Sequence, residues 1–91
     1  MLEELLKRGD AMLALGDISG ARSMYIRAAE GGSARAARQV GETYDPAFLS
    51  RVGTAGMSTD SAAAATWYRK AIALGDAEAA ARLTRLSAAS P

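Results

Sequence analysis

The 91-residue chain has no cysteine, no histidine and no asparagine, and only five aromatic residues. Without cysteine there is no disulfide framework, thiol nucleophile or thiolate zinc site; without histidine the commonest general base and the commonest metal ligand are both missing. Charge of one sign is lacking too: 11 Lys plus Arg against 10 Asp plus Glu leave +1, which supplies no long-range field for polyanions or membranes. The longest uncharged runs, Val52 to Thr59 and Ser61 to Tyr68, are eight residues, too short to span a bilayer. The opening Met1-Leu2-Glu3-Glu4 is acidic where a secretory leader would be basic, so neither signal peptide nor transmembrane segment is expected in this chain. Freedom from cysteine suits the cytoplasm and the periplasm alike, and the compartment stays open between them.

What is present points to helices. The chain is 49% hydrophobic and long enough for one small core, so a single domain over residues 1–91 is expected. Alanine-rich stretches with apolar residues three and four apart alternate with Gly-Asp and Gly-Ser punctuation, while β-branched residues are scarce. Five main helices follow: Leu2 to Leu15, Ile18 to Glu30, Ala34 to Tyr44, Ser61 to Leu74 and Ala77 to about Ala88. Gly16, Gly31 or Gly32, and Gly75 can close helices in the left-handed conformation, and Asp17, Ser33, Asp60 and Asp76 can cap the helices that follow. Asp45-Pro46 opens a short sixth helix ending near Gly53, and residues 53–59 form a loop with Met57 as a possible anchor. That loop is either a connector over one end of the core or a binding loop.

The chain repeats itself. Residues 17–40 laid over 60–83, an offset of 43, give eight identities in 24, among them Asp17 on Asp60, Ala21 on Ala64, Tyr25 on Tyr68 and Ala28 on Ala71. Ala21, Tyr25 and Ala28 make a small-large-small stripe on one helix face, so that a neighbouring helix can approach at the alanines while the ring fills the gap. A second register, at an offset of 32, puts Leu5, Gly9 and Met12 on Ala37, Gly41 and Tyr44. The unit is a helix pair, repeated about two and a half times: a first pair over 2–30, a second over 33–75 with an inserted loop at 45–59, and a capping helix over 76–89.

Leu5, Gly9, Met12, Ala21, Tyr25 and Ala28 resemble the tetratricopeptide repeat signature. The second unit, Ala37-x-x-Val40-Gly41-x-x-Tyr44 and then Trp67-Tyr68-Arg69-Lys70-Ala71, looks like a Sel1-like repeat, and the similarity spans roughly residues 2 to 86. Arg8 stands where the tetratricopeptide pattern prefers a large apolar residue. The resemblance implies an all-α solenoid of antiparallel helix pairs, first helices lining a concave face and second helices forming the convex back. It implies an adaptor for other proteins, without catalysis or cofactor. Some secreted relatives carry cysteine-stapled repeats, a branch to which this chain does not belong. The arginine-rich, alanine-rich composition matches a GC-rich bacterial genome.

On that register the groove receives Glu3, Leu6, Asp10 and Leu13 from the first helix, Arg35, Arg38 and Glu42 from the third, and Glu78, Ala81 and Arg85 from the last. Arg35 and Arg38 could hold a carboxylate or the backbone carbonyls of a bound peptide by bidentate bonds; equally, Arg38 and Glu42 could pair on a solvated helix. A carboxylate clamp built on lysine and asparagine is excluded by the lack of asparagine. The expected function is recognition of a peptide or helix of another protein. The alternative is self-association, through the leucines of the first helix, or packing within a longer repeat array. Nucleic-acid binding through Arg22, Arg27, Arg35, Arg38, Arg82 and Arg85 ranks below both, since acidic residues interleave with them. No nucleophile-elbow, phosphate-loop or metal-box spacing is present, so no enzyme is expected. Trp67 and Tyr68, adjacent on one helix, point to different faces, so one of them could be only partly buried.

Overall fold

In the computed structural model residues 1–51 and 59–89 are described. They form six α-helices and no strand: α1 (Leu2–Ala14), α2 (Ile18–Glu30), α3 (Ala34–Tyr44), α4 (Pro46–Arg51), α5 (Ser61–Leu74) and α6 (Glu78–Ala89). The all-α expectation holds. The last helix starts one residue later than expected because Ala77 belongs to the turn, and α1 stops at Ala14 with Leu15 as its C-cap. Most of the expected 53–59 loop, Met57 included, lies outside the described residues.

Each expected cap is made. Asp17, Ser33, Asp60 and Asp76 accept hydrogen bonds from the amides of Gly20, Ala36, Ala63 and Ala79 at 2.9–3.0 Å. The second helix closes through Gly32, at φ 103°, while Gly31 stays at φ −81°. Gly31 lies against Leu2, where an added Cβ would stand 2.5 Å from Leu2 Cδ2.

The helices pack as α1 on α2, α2 on α3, α3 on α5 and α5 on α6, with the short α4 against α3. The core is the alanine seam: Ala21, Ala28, Ala64 and Ala71 are fully buried, as are Tyr25 and Tyr68 between them. The Tyr25 ring of α2 rests on Gly9 of α1, and the Tyr68 ring of α5 rests on Gly41 of α3. A Cβ on Gly9 would lie 2.5 Å from Tyr25 Cε1, and one on Gly41 would lie 2.5 Å from Tyr68 Cε1. The two offsets thus meet in one repeated three-dimensional contact, a ring closing on a helix backbone that only glycine leaves open. Leu6 completes the core instead of facing outward, and Leu2, Leu5, Met12 and Leu13 are half-buried against it.

Candidate functional site

The phenols that end the two buried rings both donate to carboxylates. Tyr25 Oη lies 2.6 Å from Asp10 Oδ1, and Tyr68 Oη lies 2.6 Å from Asp45 Oδ2. Burial, then the bond to the carboxylate, raises both phenols well above their ordinary value of 10.0. Stability from these two groups is therefore fully present below about pH 10 and lost as pH rises through their folded-state values. We expect the phenolate absorbance of Tyr25 and Tyr68 to appear only as the chain unfolds; ionisation of all three tyrosines with the helical circular dichroism intact would contradict their burial.

Asp10 is also the first hub of the expected groove. Besides Tyr25 it accepts from Gln39 Nε2 at 3.1 Å and from Arg35 Nη2 at 3.0 Å. The second hub is Glu42, 5% exposed, whose Oε2 lies 2.8 Å from Arg38 Nη1 and 2.9 Å from Arg82 Nε. The latter N–H is not aimed along a hydrogen bond, so that contact is an ion pair only. Arg38 Nε donates to Asp76 Oδ2 at 3.0 Å and its Nη1 lies 3.6 Å from Glu78, which Arg82 Nη2 holds at 2.9 Å. Burial works against the Arg38 charge, but Asp76 and Glu42 keep its guanidinium above the ordinary value. Burial pushes the Glu42 carboxyl up, against the opposing pull of Arg82 and Arg38.

The same repeat runs through this polar layer. At the offset of 32 Asp10 falls on Glu42, and at 43 Gln39 falls on Arg82, so the contact of Gln39 with Asp10 is remade as that of Arg82 with Glu42. The structure therefore brings Asp10 and Arg35 together between α1 and α3, and Arg38, Glu42 and Glu78 together between α3 and α6. Glu3, Ala81 and Arg85 are exposed on the same helices without an ion pair among the described residues. Asp76, Arg82 and Gln39 complete the network and were not among the expected groove residues; applying the two offsets to polar positions would have found Arg82.

The two pairings at Arg35 and Arg38 differ in kind. Arg35 and Asp10 have side chains 52% and 44% exposed, whereas Arg38 and Glu42 are 14% and 6% exposed. The solvated-pair reading of Arg38 and Glu42 is not met, because this pair is buried between α3 and α6. Arg22 is also engaged, donating to Thr43 Oγ1 and O at 2.9 and 2.8 Å and lying 3.8 Å over the Tyr44 ring. Of the six arginines of the nucleic-acid stripe, Arg27 and Arg85 are left without such partners among the described residues. Tyr68 is fully buried and Trp67 half-buried, with the Lys70 ammonium 4.9 Å from its ring centroid.

No family model matches the chain, and neither does any curated protein or solved structure. Among the described residues no group of three or more acidic residues could hold a metal ion, and no helix is long and apolar enough to cross a membrane.

Proposed function

We propose that the chain is a Sel1-like, tetratricopeptide-type helical repeat module that binds a peptide or helix of another protein on the face made by α1, α3 and α6. Helices of 13 residues are about 20 Å long. A three-residue link spans at most about 11 Å, too little for a parallel return, which supports antiparallel pairs. Extents of 40 × 29 × 16 Å suit a slab two helices thick, given interaxial distances of about 8–10 Å.

The observation that carries the reading is the exchangeable pair at Arg35. An ion pair this exposed is worth about 0–1 kcal/mol, and Asp10 keeps Tyr25 and Gln39 as donors if Arg35 leaves. A partner carboxylate can therefore take Arg35 at little cost, while Arg38, Glu42 and Arg82 stay in place as framework. The rest of the surface is preformed, so little ordering entropy is lost on the receptor side. Glu3 and Arg85, exposed on α1 and α6, would with Arg35 add to the charge pattern a ligand must match.

The test is to select peptides from a display library on the immobilised chain and map them by amide chemical shifts. Selected peptides should carry a carboxylate, shift amides of α1, α3 and α6, and lose affinity roughly tenfold or more with Arg35→Glu at an unchanged unfolding midpoint. Peptides that shift only α2 and α5 would overturn the choice of face. Self-association through α1 is the weaker reading, because Leu6 is buried and Leu2, Leu5, Met12 and Leu13 are used against the chain's own core, leaving Leu15 at 85% exposure.

A further inference from the structure

The internal repeat also exposes a position that is filled once and open once. On α3, Ala36, Ala37, Val40 and Thr43 are completely buried, and Arg22 of α2 anchors on Thr43. At the offset of 32, α1 carries Glu4, Leu5, Arg8 and Ala11 at those four positions. Leu5 packs against the core, whereas Glu4, Arg8 and Ala11 are exposed among the described residues. Beside Glu4 and Arg8 is a cleft of about 270 Å³ lined by Met1, Glu4, Leu5, Arg8 and Arg27. Its volume falls below the roughly 300–1,000 Å³ of small-molecule pockets and suits side chains of a docking helix.

We propose that this cleft is a second docking site, separate from the α1–α3–α6 face, which receives an acidic amphipathic helix lying on α1 as α2 lies on α3. The apolar floor is Met1 and Leu5; Leu5 is half-buried and Met1 fully exposed. The chemistry of the occupant follows from Arg8. Where α3 has Val40, α1 presents a guanidinium, and neither Arg8 nor Arg27 has an ion pair among the described residues. Covering them with an apolar helix would bury unpaired charge, a heavy penalty. A helix with carboxylates beside its apolar stripe removes that penalty and gains charge-assisted bonds. Glu4 is the single acid of the cleft, so the surplus is positive. A second copy of the chain fits poorly through α5, whose charged residues are Arg69 and Lys70 with no acid.

The probe is a fluorescein-labelled synthetic helix with leucines at i, i+3 and i+7 and glutamates flanking that stripe, titrated by anisotropy against the whole chain. The control has every glutamate changed to lysine. The glutamate probe should bind at least about tenfold more tightly than the lysine probe and shift the amides of Leu5, Arg8 and Arg27. Arg8→Glu with Arg27→Glu should abolish the preference, and the neutral pair Arg8→Gln with Arg27→Gln should fall between. Both arginines are exposed, so unfolding midpoints of these variants should match the parent. Arg35→Glu should leave the probe-induced shifts of Leu5, Arg8 and Arg27 unchanged whatever it does to carboxylate binding at Arg35, which separates this site from the α1–α3–α6 face. No binding at millimolar chain, equal binding of the two probes, or shifts at Leu5, Arg8 and Arg27 that vanish with Arg35→Glu but persist in the Arg8 and Arg27 variants would overturn the proposal.

Discussion

Tyr68→Ala is expected to lower the free energy of unfolding by about 3–5 kcal/mol, the range for emptying an aromatic site in a packed core. For a chain of this size that is a large share of a total of about 5–15 kcal/mol. The ring is fully buried, fills the space left by Gly41, and ends in a 2.6 Å bond to Asp45, itself 6% exposed. Tyr68→Phe separates the two contributions. It keeps the ring and removes the phenol, leaving the Asp45 carboxylate, among the described residues, only the amide of Ala47 at 2.9 Å, at a cost of about 1–3 kcal/mol. Tyr25→Phe should cost less, because Asp10 is partly solvated and keeps Arg35 and Gln39. Denaturant titration of the three variants checks the order; equal losses for the two phenylalanine variants would show that the phenol at Asp45 is not the buried one.

Arg38→Ala is the second large effect, about 3–5 kcal/mol, as for removal of one partner from a buried ion pair. Its loss takes away the donor to Asp76 and one of the two cations on Glu42, both carboxylates being 10% exposed or less. Burial already pushes the Glu42 carboxyl up, so with Arg38 gone the proton should be held to higher pH still. That sign can be read: stability from a raised carboxyl is present at acid pH and lost as pH rises through its folded value, so the variant's deficit should be smaller at low pH than at neutral pH. Arg35→Ala, three residues away on the same helix, should change stability by no more than about 1 kcal/mol. Equal effects of the two alanine variants in urea titrations would contradict the division into framework and exchangeable charge.

The local structure was largely legible. Every helix, the Asp and Ser caps and the glycine closures follow from short-range chemistry, and even the choice between Gly31 and Gly32 rests on which backbone turns left-handed. The alanine seam with its tyrosines was legible because it occurs twice, which turns a composition bias into a packing statement. The charges were less so. Arg38 and Glu42 sit one helical turn apart, and on sequence alone a solvated pair is as good a reading as a groove pair. What decides is α6, which brings Asp76, Glu78 and Arg82 over them from more than 30 residues away; no periodicity within α3 contains that. Asp45 shows the same limit. As a residue before proline it reads as a cap for α4, and it is that, but its second oxygen takes the Tyr68 phenol from 23 residues on.

The repeated contact of a tyrosine ring on a helical glycine closes α2 on α1 and α5 on α3. Gly41→Ala tests it through the sign of its effect. In an open helix interior this change stabilises by up to about 1 kcal/mol, because alanine is the better helix former. Here the new methyl would meet the Tyr68 ring at 2.5 Å and the Ala64 carbonyl at 3.2 Å, and a ring held at its far end by Asp45 cannot swing away. Overpacking of this kind costs about 1–3 kcal/mol, so we expect the unfolding midpoint in urea to fall. A midpoint that rises on Gly41→Ala would mean that the ring does not close on this backbone, and the proposed stacking of helix pairs would have to be abandoned.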